Sequence, residues 1–297
     1  MNLGRSRAEL LAALVFLAPF LVLLLVFVLW PVVNAFWLSF HAYDLFAKPR
    51  WVGLSNYRML LQQGDFWISL RNTVFYTLGV VIAQTALALL LALMMDQRIR
   101  GKTAFRVAYF LPSVTSSVAI SLIFMALFFK NGILNQILAA LGLERLLAAT
   151  GLAVPVDWLG NLHTALPSLM AMNVWSTAGF FMIIFLAGLQ DIPQTLYEVA
   201  ELDGAGPLAQ FRYVTLPLLK PTFFYVATMG IIGAFQVFDQ VFIMTNGGPL
   251  KATMTMAYLL YTEAFVHFNM GYACAIAFVL ATVIFLATMG QKRLMGE

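Results

Sequence analysis

From Leu10 to about Trp30 the chain runs for about 21 residues with no charged side chain and almost no polar one. That is the length of one bilayer crossing, because about 20 helical residues at 1.5 Å each span a hydrocarbon core about 30 Å thick. The run is longer than the apolar region of a secretory leader, and no A-x-A cleavage pattern follows it, so a retained membrane helix is expected. Similar runs recur at about Thr73–Met95, Val107–Phe129, Leu162–Leu189, Thr222–Met244 and Gly271–Met289. At 62% apolar and 10% charged residues, the composition exceeds what a soluble core needs and suits six such spans. With no linker, low-complexity tract or repeat to divide it, the chain is expected to form one all-α membrane domain over residues 1–297. The lone Cys274 excludes an intrachain disulfide and a Cys-rich metal site.

Between the first two spans a polar loop is expected from about residue 31 to Ser69, with Ser55 capping a short helix that ends at Gly64. Asn131–Thr150 is interrupted by Glu144 and Arg145, and Ile133, Leu134, Ile137, Leu138 and Leu141 form one stripe. An amphipathic helix at the membrane interface fits better there than another crossing. Lys and Arg then set the orientation. With both termini inside, the short inner segments hold Arg5, Arg7, Arg98, Arg100, Lys102, Arg106, Arg212, Lys220, Lys292 and Arg293. The longer outer loops hold only Lys48, Arg50, Arg58, Arg71, Lys130, Arg145 and Lys251. The positive-inside rule therefore places the termini and the loop after the fourth span in the cytoplasm. The net charge of +4 is a topology signal, since no basic cluster interleaved with aromatics suits nucleic acid.

That loop, residues 190–217, is polar and helix-competent. Pro193 can open a helix at its first position, and Thr195 and Glu198 have capping-box spacing. Leu196, Val199 and Ala200 form one apolar stripe, and Asp203-Gly204 ends the helix. Gly206-Pro207 can start a second helix carrying Leu208, Phe211 and Val214, which Pro217 stops. Two short amphipathic helices with a sharp turn between them are too short to cross a bilayer and have an apolar face to bury against a partner.

Catalytic signals are missing. Gly101-Lys102-Thr103 resembles the end of a phosphate-binding loop, but Asp96 stands where that motif needs glycine. His41, His163 and His267 are far apart with no metal-ligand spacing. The polar residues inside the spans carry more information, because they are costly in hydrocarbon and tend to face a cavity or a partner helix. These are Ser113, Ser116 and Ser117 in the third span; Asn173, Ser176 and Thr177 beside Trp175 in the fourth; and Gln236, Asp239 and Gln240 in the fifth, spaced as one helical face. Neutral hydrogen-bonding groups with an aromatic ring suit a sugar. The same residues could instead hold helices together.

Glu198, Ala200, Gly204, Val214, Leu216 and Pro217 match the E-A-A-x3-G-x9-I-x-L-P motif, with Val199 and Val214 as mild departures. The chain thereby resembles the permeases of ABC importers, particularly the first membrane subunit of maltose-type sugar transporters. VGLSNY after the first span and TNGGP at Thr245–Pro249 extend the resemblance across about residues 10–290. It implies that the 190–217 loop is a coupling element docking into a cytoplasmic ATPase, with Glu198, Ala200, Gly204, Leu208, Phe211 and Pro217 in that role. It also implies a second homologous permease, two ATPase subunits holding ATP and Mg, an extracytoplasmic solute-binding protein and a location in the bacterial inner membrane. Asn173 and Trp175 match the Asn-x-Trp of that subunit, and Ser113 and Ser117 match its sugar-contacting hydroxyls. Gln236, Asp239 and Gln240 replace an Asn-rich stretch, which leaves the substrate open. The reading is a non-enzymatic permease subunit for a sugar or oligosaccharide. The alternatives are a permease for glycerol phosphate or another polar solute, or an ion-coupled carrier.

Overall fold

The computed structural model describes residues 3–97, 100–143, 148–149, 151 and 153–295, with side chains from 9 to 294. Arg98, Glu144 and Arg145, used above for topology and for the interface helix, lie outside the described residues, as do the side chains of Arg5 and Arg7. Contacts divide the chain into two compact units, Met1–Gln63 with Leu260–Val279, and Gly64–Leu259 with Leu280–Glu297.

In the first unit, α1 (Leu3–Leu24) passes through a π-helical turn (Leu25–Leu29) into α2 (Trp30–Leu38). The first membrane helix therefore continues to Leu38, eight residues into the expected loop. Pro31 does not end it. Proline lacks a donor and its ring crowds the carbonyl four residues back, here Phe27, and the π turn supplies the slack at that point. A two-strand ribbon follows, β1 (His41–Ala42) antiparallel to β2 (Arg50–Trp51) with His41 opposite Trp51. In the loop between them the Ala47 and Phe46 N–H groups donate to the Asp44 carboxylate, and the Ala47 bond in particular holds that carboxyl below its ordinary range. The short helix α3 (Ser55–Gln62) begins on Ser55 with Leu54 as its cap residue, so Ser55 is not the cap. Asn56 donates from Nδ2 to the Ser39 and His41 carbonyls at 2.8 and 3.0 Å, tying α3 to the end of α2.

The second unit is built on α4 (Gly64–Asp96). It continues through α5 (Lys102–Val114), α6 (Ser117–Phe128), α7 (Ile133–Ala140) and α8 (Ala165–Gln190). α5 and α6 are one apolar stretch bent by 98°. Thr115 and Ser116 are extended at the break. Ser113 and Thr115 donate to the Phe110 and Leu111 carbonyls, local bonds that compete with continuing the helix. α7 is shorter than the sequence pattern suggests, and its buried residue is Asn135, which donates to the Lys130 and Val156 carbonyls.

α4 packs along α8. At one end Ala88, Leu91, Ala92 and Met95 meet Met182, Phe185, Leu186 and Leu189; at the other Tyr76 and Val80 meet Leu169 and Met172. Each is buried, and a buried Leu or Met side chain contributes roughly 1.5–3 kcal/mol relative to water, although lipid replaces part of that contrast here.

After α8 come α9 (Gln194–Leu202) and α10 (Pro207–Gln210), then a π turn (Phe211–Thr215), α11 (Leu216–Leu218) and α12 (Lys220–Phe235). The fifth span resumes as α13 (Asp239–Met244) after an interruption at Gln236–Phe238. α14 (Met256–Tyr261), a π turn (Thr262–Val266) and α15 (Met270–Met295) complete the chain. Among the described residues five helices are long and apolar enough to cross a membrane, and the bent α5–α6 pair makes a sixth.

Candidate functional site

Between the α5–α6 break, the middle of α8 and the start of α13 lies a cavity of about 310 Å³. Pro112, Ser113, Thr115 and Ser117 line one side. Met172, Asn173, Ser176, Thr177, Phe180 and Phe181 line another, with Ile120 and Gln240 completing it. The break brings Ser113 and Ser117 to one opening, and Asn173, Ser176, Thr177 and Phe180 come from successive turns of α8. No charged side chain lines the cavity among the described residues.

Its polar groups are held from behind. The Ser113 hydroxyl donates to the Phe110 carbonyl at 2.7 Å, and Ser176 to the Asn173 carbonyl at 3.0 Å. The Thr177 hydroxyl reaches the Asn173 carbonyl at 2.8 Å and Gln84 Oε1 at 2.9 Å. Gln240, 6% exposed, donates from Nε2 to the hydroxyl of fully buried Tyr76 at 2.8 Å. Among the described residues nothing bonds the Asn173 side-chain amide, which is half-buried at the cavity wall. Phe180 and Phe181 add aromatic surface, their rings 5.4 Å apart.

Of the six substrate candidates read from sequence, Ser113, Ser117 and Asn173 line this cavity. Trp175 does not; it is half-exposed, with its ring 5.3 Å from that of Phe124. Gln236 and Asp239 are exposed and outside the lining. The expected single face of Gln236, Asp239 and Gln240 does not form. The helix breaks between them, and Thr255 Oγ1 donates at 3.0 Å to the Val237 carbonyl that the break exposes. Only Gln240 of that set turns into the cavity. Sequence reasoning noticed Gln240 as a polar residue in a span but could not see the break that separates it from its neighbours. Tyr76, apolar-looking on a continuous helix, gave no signal.

The loop from 190 to 217 forms the expected pair of short helices, with two local differences. Pro193 is the cap residue rather than the first helical one, and no side-chain cap bond forms there, so Thr195 and Glu198 do not make a capping box. Pro217 does not stop the second helix; the π turn before it absorbs its clash with the Tyr213 carbonyl, and the chain continues into α11. The turn itself is as expected. Gly204 sits at φ +79°, its N–H donates to the Glu201 carbonyl at 3.0 Å, and the Ala205 N–H donates to the Ala200 carbonyl at 2.8 Å. This is a Schellman arrangement that needs a left-handed residue. Tyr197 Oη and Thr215 Oγ1 are hydrogen-bonded at 2.9 Å and pin the two arms together. The tip stays bare: Leu202 and Leu208 are 88% and 80% exposed, Val199 and Glu198 are exposed, and Phe211 is half-buried.

Residues 84–294 match the model of the family described as binding-protein-dependent transport system inner membrane component. The chain belongs to this family. It is a multi-pass membrane permease component, and its relatives are permeases rather than enzymes. The chain is 34% identical over 294 residues to YesP, a probable ABC transporter permease protein of Bacillus subtilis, covering 97% of this chain and 92% of that one. It is 34% identical over 290 residues to AraP of the same organism, an arabinooligosaccharides transport system permease, covering 96% and 89%. With MalF of Thermococcus litoralis, a trehalose/maltose transport system permease, the identity is 34% over 255 residues, covering 85% and 82%. The permease fold is also that of a chain in the crystal structure of a bacterial alginate ABC transporter in complex with an alginate pentasaccharide-bound periplasmic protein. The TM-score is 0.82 at 21% identity, covering 100% of this chain and 98% of that one.

Proposed function

We propose that this permease component carries a sugar or oligosaccharide through the inner membrane of an ATP-driven importer, with the cavity at the α5–α6 break as its share of the substrate path. The observation that carries the reading is the uncharged cavity of about 310 Å³ walled by Ser113, Ser117, Asn173 and Gln240 with aromatic surface from Phe180 and Phe181. Relatives named for arabinooligosaccharides and for trehalose/maltose support the substrate class. Trp175, Gln236 and Asp239, exposed in the isolated chain, would meet solute or a second, homologous permease across the shared path.

In this reading two cytoplasmic ATPase subunits hold ATP and Mg, and an extracytoplasmic binding protein delivers solute. Both termini and the 190–217 loop face the cytoplasm. Gly204 aims the two short helices, Ala200 and Pro217 hold their packing, and Glu198, Leu208 and Phe211 meet the ATPase.

The test is uptake into proteoliposomes by the complete transporter purified through this chain, with ATP enclosed and labelled neutral oligosaccharides outside. Uptake that needs ATP and binding protein, and survives an ionophore, supports the reading. Uptake that an ionophore abolishes and ATP does not drive would identify an ion-coupled carrier instead.

A further inference from the structure

Hydroxyl groups carry one proton and two lone pairs, so the direction in which each proton points decides what a ligand can do with the oxygen. Around the cavity the protein has used up most of its protons. Ser113 gives its proton to the Phe110 carbonyl, Thr115 to the Leu111 carbonyl and Ser176 to the Asn173 carbonyl. Thr177 gives its proton to the Asn173 carbonyl or to Gln84 Oε1. Each of these oxygens is left as an acceptor. Gln240 is treated the same way, because its Nε2 donor end is tied to Tyr76 Oη at 2.8 Å while no described residue engages its Oε1. Among the described residues the Ser117 hydroxyl, the Asn173 amide and the second Nε2 hydrogen of Gln240 keep protons to give, and no Lys, Arg or His lines the wall.

The residue that fixes Gln240 stands outside the cavity. Tyr76 is fully buried on α4, which contributes no lining residue. Eight residues along the same helix, Gln84 stands behind Thr177 in the same way. The carbonyl bonds on α5 and α8 are local to their helices, but the sense of the Gln240 amide depends on a partner from α4.

We propose that Tyr76 is a positioning residue that sets the hydrogen-bonding sense of the cavity, holding the Gln240 amide so that an acceptor faces inward and the site selects solutes rich in hydroxyl donors over anionic ones. This rests on the reading that the cavity is part of the substrate path. A carboxylate or phosphate would meet acceptor oxygens with no cation to offset them and would lose its own hydration. A neutral polyhydroxylated solute would give its protons to the same oxygens. Replacing Tyr76 by Phe keeps the ring and removes the oxygen. The Gln240 amide can then turn its N–H₂ inward, and the bias against anions weakens.

The experiment measures binding to the purified complete transporter in nanodiscs, without binding protein so that its own selectivity does not intervene. The probes are a panel of neutral disaccharides and their singly oxidised acid counterparts, maltose and maltobionate among them. The expected wild-type result is that at least one neutral member binds at least tenfold tighter than its acid. Tyr76→Phe should lower that ratio about fivefold or more, the scale of one hydrogen bond, while its melting temperature and ATPase rate stay near wild type. Gln240→Leu, which removes the amide outright, should weaken the neutral member and likewise narrow the ratio. A Tyr76 whose role is only packing would weaken both members equally and leave the ratio unchanged, which overturns the proposal. So does an acid that binds as well as its neutral partner in the wild type. If no neutral member binds at millimolar concentration, the sugar reading of the cavity fails first and the proposal falls with it.

Discussion

At Gly179 a hydrogen is all that fits. A Cβ there would lie 1.8 Å from the Tyr109 carbonyl oxygen and 3.1 Å from Phe110 Cα, so the α5 backbone rests directly on α8. Small residues at such crossings let membrane helices approach closely. The contact lies one turn from Ser113, so it also sets how far the two walls of the cavity stand apart. Gly179→Ala should cost about 1–3 kcal/mol as an overpacked site, lower the melting temperature of the purified transporter and reduce uptake. Gly233→Ala is the matched control: a Cβ there meets nothing within 4 Å, and alanine in a helix is favoured over glycine by about 1 kcal/mol. It should leave uptake unchanged and stability equal or higher. Asn173→Ala tests the opposite kind of residue. No described group bonds its side-chain amide, so the folded protein should not miss it. A lost ligand hydrogen bond of about 1–3 kcal/mol corresponds to about one to two decades in apparent affinity for solute. A raised KM for uptake at unchanged melting temperature is expected; a lowered melting temperature at unchanged KM would make Asn173 a packing residue.

At the scale of elements, what could be read from sequence was what depends on local chemistry. Runs of apolar residues locate the spans because hydrocarbon solvates every residue in them alike. Asp203-Gly204 locates the sharp turn because a left-handed residue is needed wherever a helix closes this way. What could not be read depends on distant partners. Pro31 and Pro217 look like helix stops, yet π turns centred on Phe27 and Tyr213 let each helix run on. Gln236, Asp239 and Gln240 look like one face, yet Thr255, far along the chain, bonds Val237 in the break between them. The α5–α6 bend falls where Pro112, Ser113, Thr115, Ser116 and Ser117 interrupt the apolar stretch, but their presence in a span does not say how far the helix turns. The two-helix loop was legible for the same local reason, and its proposed coupling role is testable as a unit. A Cβ on Gly204 would meet nothing within 4 Å, but the residue sits at φ +79°, so Gly204→Val is strained by its backbone and not by crowding. It should redirect the second short helix, leave the permease spans assembled, and reduce both ATPase subunits retained on purification and binding-protein-stimulated hydrolysis. Glu198 is exposed, with no bonding partner among the described residues, so Glu198→Ala should leave the melting temperature alone and lower stimulated hydrolysis. Normal uptake and stimulation in both variants would reduce the loop to a connector.

For the whole molecule, charge distribution fixes which way a bundle of apolar helices sits in the bilayer. Arg100, Lys102, Arg106, Arg212, Lys220, Lys292 and Arg293 lie in short segments next to the spans, and the longer segments hold fewer cations for their length. Cations are retained on the cytoplasmic side during insertion, so the proposed orientation has the α9–α10 tip inward and the 41–51 ribbon outward. The orientation matters to mechanism, because the loop proposed to meet the ATPase must face the cytoplasm. Single cysteines in a Cys274→Ser background read it directly. Phe46, 81% exposed in the ribbon loop, should as Phe46→Cys react with a membrane-impermeant maleimide on spheroplasts. Leu202→Cys at the tip of α9 and Leu294→Cys near the end of α15, both almost fully exposed in the chain, should react only after the membrane is opened. Labelling of Leu202→Cys on sealed spheroplasts, with Phe46→Cys protected, would invert the molecule and remove the ATPase from the 190–217 loop.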